Sequence, residues 1–203
     1  GKKVQYSIMA IIRKDFRYKI IKGFFNKYEL NLLQTYCIKE LENPVGMRNQ
    51  KKDDCFAVSF YEDRLMQTLL QTKLPLVEKE CGLKLWTTYA YWRYYGFNSF
   101  LKTHRDRPSC EISVTACINK TDDWPLIIDK KEIEIDIGDG VLYLGVEDLH
   151  GRPGVYKGDG MAQVFFHYVD QKGPFIHHRD DNYLKTTMRP ASSTDRVPFK
   201  EIK

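Results

Sequence analysis

The nine residues Cys110–Ile118, CEISVTACI, decide the fold class. Ile112, Val114, Ala116 and Ile118 alternate with Ser113, Thr115 and Cys117. A period of two places one set on each face of a β-strand. Upstream, Trp86–Tyr95 (WTTYAYWRYY) is aromatic and Thr-rich, the composition of a strand. Gly96, Asn98 and Ser99 then turn the chain, and Phe100–His104 resumes an extended course. Downstream, Ile133–Gly138 alternates, Gly138-Asp139-Gly140 turns, and Val141–Leu144 reads as a short apolar strand. Gly154–Gly160 is a loop and Met161–Val169 the last strand. Strands and turn signals in this density predict a mainly β (α+β) fold, a sandwich or jelly roll over roughly 86–170.

The N-terminal part is mixed. Asn26 and Glu29 fit a capping box, and Leu30, Leu33, Cys37 and Leu41 then share a helical stripe that Asn43-Pro44 and Gly46 end. Residues 47–57 are charged and read as a loop bordering a site. A second helix is predicted from Glu62 to about Lys79, with Leu65, Leu69 and Leu70 apolar and Pro75 kinking or splitting it. These helices, within a support region of about 1–85, should brace one face of the β core. Tyr6–Ile12 is apolar, too short to cross a membrane and without a cleavage signal, so it reads as a strand. The tail from about 171, with Pro174, Pro190 and Pro198, should be irregular.

The 203 residues suit one domain with a sizeable core, and 42% hydrophobic with 13% aromatic residues can fill it. Lys and Arg number 32 against 27 Asp and Glu, a formal charge of +5 spread along the chain. That excess permits an acidic partner and does not argue for nucleic acid. The five cysteines, Cys37, Cys55, Cys81, Cys110 and Cys117, are odd in number and widely spaced. They read as reduced thiols of a cytoplasmic protein, neither a disulfide frame nor a zinc site.

His104 and Asp106 are two residues apart, so an extended chain presents both to one point. On its own, H-x-D is a common surface pair. Here it lies between strands, and His150 follows a Gly-Asp turn and a further strand. Two histidines and one carboxylate form a face that holds Fe(II) and leaves positions open for substrate and O₂.

Tyr95-Gly96, His104-x-Asp106, Ile118–Lys120 running to Trp124-Pro125, Gly138-Asp139 and His150 occur in an order that resembles the Fe(II)- and 2-oxoglutarate-dependent oxygenases, in their prolyl-hydroxylase-like branch. The resemblance covers roughly 86–170. It implies a double-stranded β-helix core of jelly-roll type, with His104, Asp106 and His150 as iron ligands. It implies 2-oxoglutarate as co-substrate, released as succinate and CO₂, with ascorbate as reductant. The prime substrate it favours is a peptidyl proline, with a small metabolite as the other choice. A cupin-like metalloenzyme without 2-oxoglutarate and a non-catalytic jelly-roll module are the alternatives.

One departure stands out. Where many members carry a cation past the distal histidine, this chain has Asp159, Gly160 and Met161. The far carboxylate of 2-oxoglutarate needs a partner when buried. Arg152, two residues past His150, is the first choice, although Pro153 could bend the chain there. Arg93, sharing a strand face with Tyr91 and Tyr95, is the second. Tyr95 aligns with a tyrosine of the co-substrate pocket and could equally be core. His167 reads as a core or hydrogen-bonded histidine, His177 and His178 as solvated, Phe165 and Phe166 as packing, and Gln163 as either pocket-facing or exposed.

Overall fold

The computed structural model describes residues 16–42, 50–52, 55–61 and 63–180. The strand expected at Tyr6–Ile12, the helix stop at Asn43–Gly46 and the tail beyond 180 lie outside these. Among the described residues, ten strands form two antiparallel sheets. They are β1 (Tyr18–Ile21), β2 (Gln50–Lys52), β3 (Ala57–Tyr61), β4 (Leu85–Tyr95), β5 (Ile112–Lys120), β6 (Leu126–Ile128), β7 (Lys131–Ile133), β8 (Gly140–Tyr143), β9 (His150–Gly151) and β10 (Met161–Asp170). The larger sheet runs β1-β8-β5-β10-β4-β3-β2 and the smaller β7-β6-β9. Helices α1 (Lys27–Glu42) and α2 (Arg64–Cys81) complete the architecture.

The alternation in β5 sorts as the spacing predicts, with one difference. Ile112, Val114, Ala116 and Ile118 join Ala90 and Trp92 of β4 and Ala162, Val164, Phe166 and Tyr168 of β10 in one core. Leu33 and Cys37 of α1 and Met66, Leu70, Val77 and Cys81 of α2 close it. The other face is also buried: Ser113 is 0% exposed and Thr115 1%. The polar half of the strand therefore points between the two sheets, away from solvent. Two smaller apolar clusters fill that space. One joins Cys117, Leu126, Ile128, Ile133, Ile135, Val141 and Tyr143, the other Ala57, Tyr95, Leu101, Trp124, Tyr156, Met161 and Phe165.

The start of α1 follows the sequence signal. Asn26 Oδ1 accepts from the N–H of Tyr28 and Glu29, while Glu29 Oε2 accepts from Asn26 N–H at 2.9 Å. The same Glu29 oxygen meets Lys73 of α2 at 2.7 Å, so the box also ties the helices together. Helix α2 is one uninterrupted element with Pro75 inside it. Packing of Leu70 and Val77 against the sheet outweighs the hydrogen bond that the proline removes. It ends at Gly82, in the left-handed region at φ 70°. The stretch expected as a loop over 47–57 instead contains β2 and leads into β3. Strands β1 and β3 thus add to the large sheet from the region expected to be helical support. The alternation over Ile133–Gly138 gives a strand only through Ile133. Past β10, Gln171 N–H donates to Lys84 O and Asp180 N–H to Thr87 O, so the described part of the tail packs back on β4.

Asp63 links the helical layer to the sheet. Its Oδ1 caps α2 by accepting from Met66 N–H at 3.0 Å. Its Oδ2 accepts from Tyr36 of α1 at 2.7 Å and from the Trp92 indole of β4 at 3.0 Å. Replacing Asp63 by Ala removes a cap and strands a buried indole donor, at a cost of about 2–4 kcal/mol. Chemical denaturation of Asp63→Ala should show that loss, with Asp63→Asn losing less. Unchanged stability in the alanine variant would refute the role given to this carboxylate.

Candidate metal centre

A two-way backbone pairing sets the geometry. His104 N–H donates to His150 O at 2.9 Å and His150 N–H to His104 O at 3.0 Å. This bridge is isolated: the rest of 100–106 runs beside β9 without joining a named strand. Directly opposed residues of an antiparallel pair project to the same side. The two imidazoles therefore stand together, centroids 4.5 Å apart.

Backbone carbonyls fix both rings. His104 Nδ1 is 2.8 Å from Lys102 O, and His150 Nδ1 is 2.9 Å from Asp148 O. A carbonyl only accepts, so Nδ1 carries the proton in each ring and Nε2 presents its lone pair. Both Nε2 atoms converge on Asp106 Oδ1, at 3.4 Å from His104 and 3.3 Å from His150. The hydrogen bond with Asp106 pushes the His104 pKa up against burial. Burial pushes the Asp106 carboxyl up, but the two histidines outweigh it and hold the acid well below its ordinary range. The structure thus brings together His104, Asp106 and His150, with ligand atoms within 4.8 Å of one another.

The cavity beside these residues is lined by Arg93, Arg152, Tyr91, Tyr143, Thr115, Leu101, Leu126, Phe165 and His167. Arg152 is 6% exposed, and burial lowers its pKa from the ordinary arginine value. Its guanidinium donates to Trp124 O and, at 3.2 Å, to Gln163 Oε1, while its Nε has no partner. No carboxylate of the described residues pairs with it. Pro153 does not turn Arg152 away from the interior. Arg93 donates to Ser59 Oγ at 3.0 Å and to the Tyr95 hydroxyl at 3.2 Å. It also lies over the rings of Tyr91, Tyr95 and Phe165.

Tyr95 is not on the cavity wall. It ends β4 packed edge-on to Trp124, centroids 5.3 Å apart, and meets the site through Arg93 and through Arg152, whose guanidinium lies 6.0 Å from its ring centroid. Gln163, at 1% exposure, faces inward. His167 does line the cavity, a position its place in an apolar strand did not single out. Thr88 and Tyr89 of β4 together face it in a bulge, and the Tyr89 ring lies 4.6 Å from the imidazole. Burial pushes the His167 imidazole down to about 4. Tyr143, at 4.8 Å from the His150 ring, and Thr115, hydrogen-bonded to the Tyr143 hydroxyl, are further wall residues. The signal for Thr115 was the polar half of the β5 alternation, whereas Tyr143 lies in the stretch read as a short apolar strand.

All five cysteines are free thiols, four of them buried. No described helix is long and apolar enough to cross a membrane. His177 is exposed and His178 partly so, away from the cavity walls.

No family model matches the chain, and no curated protein matches it. Solved structures do. The viral collagen prolyl hydroxylase of Paramecium Bursaria Chlorella virus-1, in a 2-oxoglutarate complex, superposes with a TM-score of 0.56 at 13% identity. That match covers 75% of this chain and 95% of the other. The non-heme alpha ketoglutarate-dependent epimerase SnoN of nogalamycin biosynthesis gives 0.65 at 9% identity, covering 82% and 83%. EctD from S. alaskensis, with bound Fe, gives 0.62 at 14% identity, covering 84% and 79%. The chain therefore has the jelly-roll fold of solved 2-oxoglutarate/Fe(II) oxygenase structures.

Proposed function

We propose that this chain is an Fe(II)- and 2-oxoglutarate-dependent oxygenase, with His104, Asp106 and His150 holding the iron. The observation that carries the reading is the convergence of two fixed Nε2 lone pairs on one carboxylate oxygen. Lone pairs and a carboxylate repel unless a proton or a metal cation lies among them, and two imidazoles with one carboxylate suit Fe(II). Bound there, the iron supplies O₂ activation coupled to conversion of 2-oxoglutarate into succinate and CO₂.

The surroundings fit that ion. Asp106 is anchored by its N–H to Gly145 O at 2.8 Å. A Cβ on Gly145 would lie 2.6 Å from Asp106 Oδ2 and 2.4 Å from Cys110 O. The chain keeps this position bare so that the carboxylate can lie against the backbone. The Nδ1 hydrogen bonds of both histidines hold the rings in their ligating tautomer.

Arg152 is the residue for the far carboxylate of 2-oxoglutarate. It is buried, it lacks a carboxylate partner among the described residues, and it shares the cavity with the triad. A guanidinium can take a carboxylate with two parallel hydrogen bonds. This favours the oxygenase reading over a cupin-like enzyme without 2-oxoglutarate. Arg93, already engaged with Ser59 and Tyr95, lines the same space as the reserve. The prime substrate is a peptidyl proline or a small metabolite, hydroxylated next to the triad against the aromatic wall of Tyr91 and Phe165.

Three measurements test this. Supplied with Fe(II), ascorbate and 2-oxoglutarate, the chain should release succinate slowly without a prime substrate. His150→Ala should lose most of its iron affinity, and Gly145→Ala should lose metal binding out of proportion to any change in melting temperature. Iron held normally by His150→Ala would refute the ligand assignment, and iron binding with no succinate would favour the cupin-like alternative. Arg152→Ala should raise the 2-oxoglutarate KM by roughly a hundredfold or more, the cost of removing one partner of a buried charge pair. Arg152→Lys should recover only part of that, with Fe(II) binding nearly intact in both. An unchanged KM would transfer the role to Arg93.

A further inference from the structure

One hydroxyl defines a lone pair that the triad does not use. Ser113 Oγ lies 3.0 Å from Cys110 O and 2.9 Å from His167 Nδ1. The carbonyl can only accept, so the hydroxyl proton goes to it. Ser113 Oγ must then accept from Nδ1–H of His167. That leaves Nε2 of His167 as the bare nitrogen, buried and without a partner. A buried acceptor with nothing donating to it is unfavourable and calls for an explanation.

The residue also belongs to a cluster of donors. A ring nitrogen of His167, the Cys110 sulfur and an Asp106 carboxylate oxygen lie within 4.8 Å of one another. Cys110 and His167 are 2% and 3% exposed and the Asp106 side chain 16%. Neither residue has a part in the proposed oxygenase site as a ligand. We propose that Asp106, Cys110 and His167 form a second ion site, taking a thiophilic divalent cation such as Zn²⁺ and sharing Asp106 with the triad.

The donor set selects the ion class. Thiolate and imidazole suit zinc and discriminate against magnesium and calcium, which want oxygen ligands. On binding, Cys110 forms its bond to the ion as thiolate and releases its proton to solvent. Three protein ligands leave a further coordination position open. Because one carboxylate serves both sets, an ion at this site withdraws negative charge from the His104–His150 pair. Zinc held here therefore opposes metal binding at the triad. The inference uses Asp106 in common with the oxygenase reading and requires no 2-oxoglutarate.

Cobalt(II), as a spectroscopic substitute for zinc, provides the test on the metal-free full chain. Titration should produce a near-ultraviolet thiolate-to-cobalt charge-transfer band, which added zinc abolishes. Cys110→Ser and Cys110→Ala should both lose the band, and His167→Gln should weaken cobalt binding there. His150→Ala, which dismantles the triad, should keep it. No band in the unaltered chain at saturating cobalt, or a band that survives Cys110→Ser, overturns the site. A band without succinate production sinks only the oxygenase reading, and succinate production without a band sinks only this one.

Discussion

The reciprocal hydrogen bonds between His104 and His150 are the constraint on which the site depends. They bring two residues 46 positions apart into direct opposition and so place their rings side by side. The pairing is kept close by what surrounds it. Arg152 N–H donates to Leu101 O at 2.9 Å. A Cβ on Gly151 would lie 2.9 Å from Thr103 Cα, so only glycine permits the two segments to lie this flush. Strand β9 in turn pairs with β6, at Ile127↔Gly151 and Ile128↔His150. The small sheet thereby supplies His150 and Arg152 from one short run of chain, while the segment beside it supplies His104 and Asp106.

The large sheet contributes a buried polar face, which needs a reason. Its helix-side face is apolar and closed by α1 and α2. Its inner face carries Arg93, Thr115, Gln163 and His167, all under a tenth exposed. Polar groups are buried only when they are paired. Most are: Arg93 to Ser59 and Tyr95, Thr115 to Tyr143, Gln163 to Arg152. Of the four buried side-chain atoms without a partner among the described residues, Arg152 Nε and His167 Nε2 belong to the cavity wall, while Ser109 Oγ and Asp148 Oδ2 do not. Half of that unpaired capacity lies where a ligand can satisfy it.

Much of this was legible in the sequence because it rests on short-range periodicity. The H-x-D spacing, the strands bounded near 86 and 170, and the Asn26/Glu29 box all follow from local geometry. Gln163 and His167 were harder. A polar residue in an apolar strand looks the same whether its face meets solvent or a second sheet, and only the three-stranded sheet decides. Strands β2, β3 and β6 are three to five residues long, too short for alternation to show, so their own composition says little. The stretch Ile133–Ile137 shows the opposite error. Ile133 and Ile135 are inward and buried as alternation requires, but pairing with β6 stops at Ile133.

The charges of the cavity argue that its two proposed ligands bind as a pair. Among its walls are the Arg152 guanidinium, which no carboxylate of the described residues pairs with, and the Asp106 carboxylate. Their charges balance. A divalent cation alone would leave the cavity positive, and a dianion alone would leave it negative. Together they cancel, leaving the cavity as it was. Each ligand should therefore raise the affinity for the other, and the coupling is reciprocal by linkage. An apolar shell strengthens the effect because it lowers the local dielectric. On that reading Arg152 would favour the anion and Asp106 the cation, and each bound charge would serve as the other's counterion.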